Sequence, residues 1–137
     1  MTAKEYLRQA QLLTSKIAEE NEYIEQLREK STSVGQSIMD ESVRGSRNND
    51  PLGSLVSEIL DEIQRCERRI ADDMVAITKI ESAISAVRDN ICRKLLRLHY
   101  IEGLQLCEVA EVLCYSDGYT YRLHPKALRM VTVPSGI

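Results

Sequence analysis

The residues best suited to recognition chemistry crowd the last quarter of the chain. Ser116, Asp117, Gly118, Tyr119, Tyr121, Arg122, Lys126 and Arg129 fall in one short stretch. Arg122 carries the planar fork that matches the O6/N7 edge of guanine. Tyr119 and Tyr121 can donate to phosphates or pack on thymine methyls. Ser116 suits a helix cap, and a capped helix start suits a phosphate. Asp117 repels phosphate but can accept from a cytosine amine. Upstream, Arg93, Lys94 and Arg97 could grip a backbone on the flank. This set of side chains reads a nucleic-acid surface better than it performs a reaction.

A second set, His99, Cys107, Cys114 and His124, can be drawn as a zinc site, but it lacks finger spacing. The four cysteines, at 66, 92, 107 and 114, form no Cys-x-x-Cys pair. Three fall in apolar helical patterns, so reduced core thiols are the expectation. There is no Gly-rich phosphate loop and no paired metal motif. Both histidines lie in helical stretches, where a satisfied or solvent-facing ring is the ordinary role. The expectation is therefore no enzyme, no cofactor and no metal.

The elements that position the first set are short helices with sharp turns. Arg93–Tyr100 reads as one helix, with Leu95, Leu96 and Leu98 apolar. Glu102-Gly103 is a turn, in which Gly103 can take positive φ without steric cost. Leu106–Leu113 is a second helix, and the small Ala110 lets a following helix cross closely. Cys114 and Tyr115 turn, Ser116 caps, and residues 117–130 run as the last helix with Thr120, Leu123, Ala127 and Leu128 inward. This is the helix-turn-helix plan, whose second helix lies in the major groove. A small helical bundle that touches no DNA shows the same spacing, so the pattern alone leaves both open.

Residues 1–92 follow another rule. Over 2–30, Tyr6, Ala10, Leu13, Ile17, Ile24 and Leu27 recur at spacings of three and four, with Glu20 in the one gap. Thr2 and Glu5 fit a capping box. Residues 31–54, rich in serine and glycine and ending near Asn48-Asn49-Asp50-Pro51, predict a long mobile connection. Arg44 and Arg47 make it locally basic, and a solvated loop is its plain reading. Over 54–91, Val56, Ile59, Ile63, Cys66, Ile70, Met74, Ile77, Ile80, Ile84, Val87 and Ile91 form a seam of near-heptad period. The simplest arrangement is an antiparallel hairpin. Its thin core suggests that two chains pair into a four-helix bundle; a hairpin folded back on the C-terminal module is the alternative.

Composition agrees. The chain has 137 residues, no Trp and no Phe, so its core must be aliphatic and an all-β sandwich is disfavoured. Residues 1–92 carry 12 basic and 17 acidic side chains, whereas residues 93–137 carry 6 and 4. The two ends therefore read as different modules. No run of apolar residues is long enough for a membrane span, and the charged start does not resemble a signal peptide. The expected location is the cytoplasm.

The run Leu95–Leu113, LLRLHYIEGLQLCEVAEVL, resembles the start of sigma-factor region 4, the part that reads the −35 promoter element. The stretch Tyr115–Leu128, YSDGYTYRLHPKAL, fits its recognition helix without a gap. More narrowly, the opening MTAKEYLRQA, the helical hairpin with a Ser/Gly/Arg-rich middle and that closing helix resemble the ArpU-type, sigma-region-4-like regulators of Gram-positive phages and prophages. The resemblance covers nearly the whole chain. It implies a DNA-binding regulator of phage late-gene transcription. By position, Asp117, Gly118, Tyr119, Tyr121, Arg122 and Lys126 fall where sigma recognition helices contact the promoter, and Gln105 where a Thr often contacts phosphate.

Three departures weigh on specificity. Asp117-Gly118-Tyr119 stands where sigma factors are usually arginine-rich. Gly118 weakens the first helical turn by about 1 kcal/mol relative to Ala, and Pro125 inside the helix should kink it. The regions of a full sigma factor that bind core polymerase are missing.

The expected fold is thus all-α, with a helical hairpin over 1–92 and a helix-turn-helix over 93–137. The expected partners are duplex DNA, RNA polymerase as a further candidate, and a second copy of the chain, with no membrane. A small terminase-like or adaptor protein that oligomerises through its coiled coil is the rival reading. A pure interaction module that binds polymerase without DNA is the third.

Overall fold

The computed structural model describes residues 1–42 and 51–134; for 35–42, 51 and 52 only the backbone is described. Every regular element among them is helical: α1 Ala3–Ser42, α2 Pro51–Ser85, α3 Asn90–Leu96, a π-helical turn Arg97–Ile101, α4 Leu106–Leu113 and α5 Asp117–Arg129. No described helix is long and apolar enough to cross a membrane.

α1 starts as its sequence predicts. The Thr2 hydroxyl accepts from the Glu5 N–H and the Glu5 carboxylate accepts from the Thr2 N–H, both at 3.2 Å. Its end does not follow the expectation. The helix runs through residues 31–42 despite their serines, and α2 already includes residues 51–53. Serine costs a helix only a few tenths of a kcal/mol, and Pro51 stands at a first helical position, where its missing N–H is no loss. The remainder of the expected connection, with Arg44 and Arg47, lies outside the described residues.

α2 also ends earlier than its apolar line. It stops at Ser85, and the chain turns through Ala86–Asp89. Asp89 Oδ1 then accepts from the N–H groups of Ile91 and Cys92 at 3.0 and 2.9 Å, capping α3. Arg93 fastens this corner by donating to the Val87 carbonyl at 2.9 Å and to the Asn90 side chain. Val87 and Ile91 therefore continue the heptad spacing without continuing the helix.

The chain divides into two compact units, and not at residue 92. One comprises Met1–Ser15 with Met74–Ile137, and the other Lys16–Asp73. The reason is the core of the first unit. Tyr6, Leu7 and Ala10 of α1 and Ile80, Ile84 and Val87 pack with Cys92, Leu95, Leu96, Tyr100, Val109, Leu123, Ala127 and Val131. An amphipathic helix buries its stripe wherever apolar surface is offered, and here the short C-terminal helices offer it. Charge sorts by the same division. The first unit carries 10 basic and 7 acidic residues and the second 8 and 14.

The second unit buries Ile24 and Leu27 against Ile59, Ile63 and Cys66, with Leu55 and Ile70 half-buried beside them. Lys16 pairs with Asp73, Glu20 with Arg69 and Arg28 with Glu67. The seam departs from expectation at one position. Met74 is exposed, and Asp73 takes the buried place after Ile70. Its Oδ2 has no hydrogen-bond partner, and the Lys16 Nζ stands 3.7 Å away.

Candidate nucleic-acid interface

The α4–α5 corner is built by two backbone devices. At the end of α4, Cys114 takes the left-handed conformation, φ 61° and ψ 39°. The Tyr115 N–H bonds the Ala110 carbonyl at 2.9 Å and the Cys114 N–H bonds the Glu111 carbonyl at 3.2 Å. This pair of bonds is the Schellman arrangement, which satisfies the last carbonyls of a helix. Glycine is usual at the left-handed position, and a cysteine there gives no sequence signal. At the start of α5, Ser116 Oγ accepts from the Tyr119 N–H at 3.2 Å, and the Thr120 hydroxyl donates to the Ser116 carbonyl at 3.0 Å. Ala110 and Thr120 are fully buried at the crossing. The small residue there fits the close approach expected of it.

With Thr120, Leu123 and Ala127 turned inward, the opposite face of α5 is open. Asp117, Gly118, Tyr119, Tyr121, Arg122, Pro125, Lys126 and Arg129 are all exposed. A side chain built on Gly118 would meet nothing within 4 Å, so packing does not require glycine there. Pro125 lies on this open face and α5 continues past it to Arg129. The Tyr121 carbonyl loses its usual i+4 donor at a position water can reach, so the helix is not ended. Tyr115 and Tyr119 meet edge to face, centroids 5.1 Å apart. Tyr119, Arg122, Leu123 and Lys126 line a shallow hollow on one flank.

One expected flanking residue is engaged within the protein. Arg93 is held at the α2–α3 corner by two neutral acceptors, the Val87 carbonyl and the Asn90 side chain. Lys126 lies near the α3 cap. The Asp89 carboxyl is held below its ordinary range chiefly by the Cys92 N–H, with the Lys126 charge assisting. Gln105 precedes α4, exposed, and its N–H donates to the Glu108 carboxylate at 3.3 Å.

Sequence reasoning missed what surrounds the histidines. The π-helical turn, closed by Glu102 N–H to Arg97 carbonyl at 3.0 Å, brings His99 and Tyr100 beside α5. The Tyr100 hydroxyl and His124 Nε2 are 2.7 Å apart, and the His99 and His124 rings lie 5.2 Å apart. His99 Nδ1 bonds the Leu104 carbonyl at 2.7 Å. Gln11 of α1 donates to the His99 carbonyl at 2.8 Å. Burial pushes the His124 pKa down to about 4, assisted by the charges of His99, Lys4 and Arg8. Burial also raises the Tyr100 pKa, against the opposing influence of Arg8. No local signal marks a π turn, and the pairing of His99 with His124 depends on helix crossing.

The candidate zinc set does not assemble. Cys107 and Cys114 are exposed, and no group of three or more His, Cys, Asp or Glu among the described residues could hold a metal ion. The thiol expectation holds for Cys66 and Cys92, which are free and buried. Comparison with protein-family models, curated proteins and solved structures gives no match to this chain.

Proposed function

We propose that the chain is a sequence-specific DNA-binding regulator in which α4, the Cys114–Ser116 turn and α5 act as a helix-turn-helix, with α5 in the major groove. The single observation that carries this reading is the open face of α5. It holds Arg122, Lys126 and Arg129 with Tyr119 and Tyr121, on a helix whose opposite face is locked into the core. Arg and Tyr are side chains that reach base edges and phosphates. The net positive charge of the unit that bears them supports approach to a polyanion. The resemblance to sigma region 4 and to ArpU-type phage regulators extends the reading to phage late genes, in the cytoplasm of a bacterial host, with RNA polymerase as a second partner.

In this reading residues 16–73 form an acidic antiparallel hairpin. Its cross-pairs fall in number on one helix as they rise on the other. Tyr23 and Leu60 remain exposed on it, which fits pairing with a second copy. A monomeric mass in solution scattering at micromolar concentration would exclude the pairing. A ring of eight or more subunits would favour the terminase-like alternative.

The test is selection from random duplex DNA at one fixed, moderate salt concentration, since affinity depends steeply on salt. Wild type and Arg122→Ala run in parallel. The expected result is one enriched motif that Arg122→Ala relaxes at a single guanine position, at a cost of about 1–3 kcal/mol. Absence of enrichment from wild type refutes DNA reading by the isolated protein.

A further inference from the structure

The first helix contributes to the same unit as α5, and its exposed side toward the π-helical turn is cationic. Lys4, Arg8 and Gln11 follow one another at spacings of four and three, so they share a side of α1. Gln11 fixes where that side lies, because its amide donates to the His99 carbonyl within the turn. Tyr6, Leu7 and Ala10, buried in the shared core, hold the helix there independently. His99 in turn stands against His124 of α5. His124 shares its flank of α5 with the exposed Tyr121, one turn earlier. Lys4 and Arg8 are both exposed, and neither has an ion-pair partner among the described residues. The depression of His124 proton affinity, caused first by burial, includes contributions from both charges, which agrees with their nearness.

We propose that Lys4 and Arg8 form a second DNA contact, gripping backbone phosphates of the strand that borders the groove on the Tyr121 side of α5. This rests on the DNA reading above and adds to it a role for the N-terminal helix. The physical requirement is modest. Phosphate contacts need unpaired cations on a rigid element at the edge of the groove, without base chemistry. A helix pinned by three buried side chains and one hydrogen bond is such an element. The charge pattern of the sequence conceals it, because residues 1–15 are continuous with the acidic segment that follows.

The experiment measures affinity of the full chain for its selected duplex by fluorescence anisotropy across a series of salt concentrations. Wild type is compared with Lys4→Gln/Arg8→Gln. Removing one cation from a phosphate lowers the slope of log affinity against log salt by about 0.9, so the double variant should show a slope smaller by about 1.8. Its selected motif should stay that of wild type, since phosphate contacts carry no sequence information. Lys30→Gln/Arg68→Gln makes the same change in net charge within the acidic unit and should leave the slope unchanged. Equal melting of the variants and wild type establishes that the exposed substitutions leave the fold intact. An unchanged slope in Lys4→Gln/Arg8→Gln overturns the proposal while the DNA reading stands. So does an equal slope change in the acidic-unit control. Failure of wild type to bind any duplex overturns both.

Discussion

Protonation of His124 should weaken the unit that carries α5. In the folded protein its pKa is pushed down to about 4, first by burial and then by His99, Lys4 and Arg8. Unfolded, a histidine titrates near ~6.5. The unfolded chain therefore binds the proton first. Stability is complete above about pH 6.5 and falls as pH drops toward 4. Between pH 7.5 and 5 the two values give a loss of about 2 kcal/mol. The ring is partly exposed, and solvent screening brings this to about 1 kcal/mol. For a urea dependence of about 2 kcal/mol per molar, the midpoint moves by roughly 0.5 M. Tyrosine fluorescence is the suitable probe, because five of the six tyrosines lie in this unit and the chain has no Trp. His124→Gln keeps a hydrogen-bonding group near the Tyr100 hydroxyl and removes the titration. Its midpoint should fall by less than that of wild type between pH 7.5 and 5. Parallel pH dependence in the two proteins would refute the assignment.

Other substitutions test the devices that shape the site. Cys114→Gly should raise stability by about 1 kcal/mol, because glycine occupies the left-handed position without the Cβ clash; a lower urea midpoint would contradict the Schellman geometry. Ser116→Ala should cost about 1 kcal/mol through loss of the α5 cap, read as a lower midpoint with unchanged helicity before the transition. Asp73→Leu should stabilise the 16–73 unit by roughly 1 kcal/mol, since an apolar side chain replaces a buried carboxylate with one unsatisfied oxygen. A destabilised variant would mean that the Lys16 pairing outweighs the cost of burial.

The helical content was legible because apolar spacing of three and four survives in any context where a stripe is buried. So were the Thr2–Glu5 box, the Ser116 cap and the positive φ of Gly103, which is 78°. These are local devices, fixed by residues a few positions apart. Ser85–Asp89 was not legible as a break, because Val87 and Ile91 keep the heptad spacing across it and no Gly or Pro intervenes. Asp89 was the available signal, a good cap followed by an apolar run. At the seam, Met74 and Asp73 both preserve an alternation of three and four, and hydropathy favours the wrong one. The open face of α5 was read correctly from the inward set Thr120, Leu123 and Ala127. Arg93 was only half visible, because its hydrogen bonds depend on a corner that the sequence presents as straight helix. The His99–His124 contact and the place of Lys4 and Arg8 are long-range, decided by which core captures the first helix.

That capture constrains the order of synthesis. Tyr6 and Leu7 emerge well before their core partners, which extend to Val131. Residues 16–73 include both sides of their own core, Ile24 and Leu27 with Ile59, Ile63 and Cys66, so that unit can close as soon as residue 73 is free. At about 5–20 residues per second, the remaining core of the other unit follows roughly 3–12 s later. During that interval the apolar face of residues 6–10 gains its native cover only stepwise, from Ile80, Ile84 and Val87 onward to Val131. The core around residues 6–10 is thus completed late, and the acidic unit is closed before the basic one is complete.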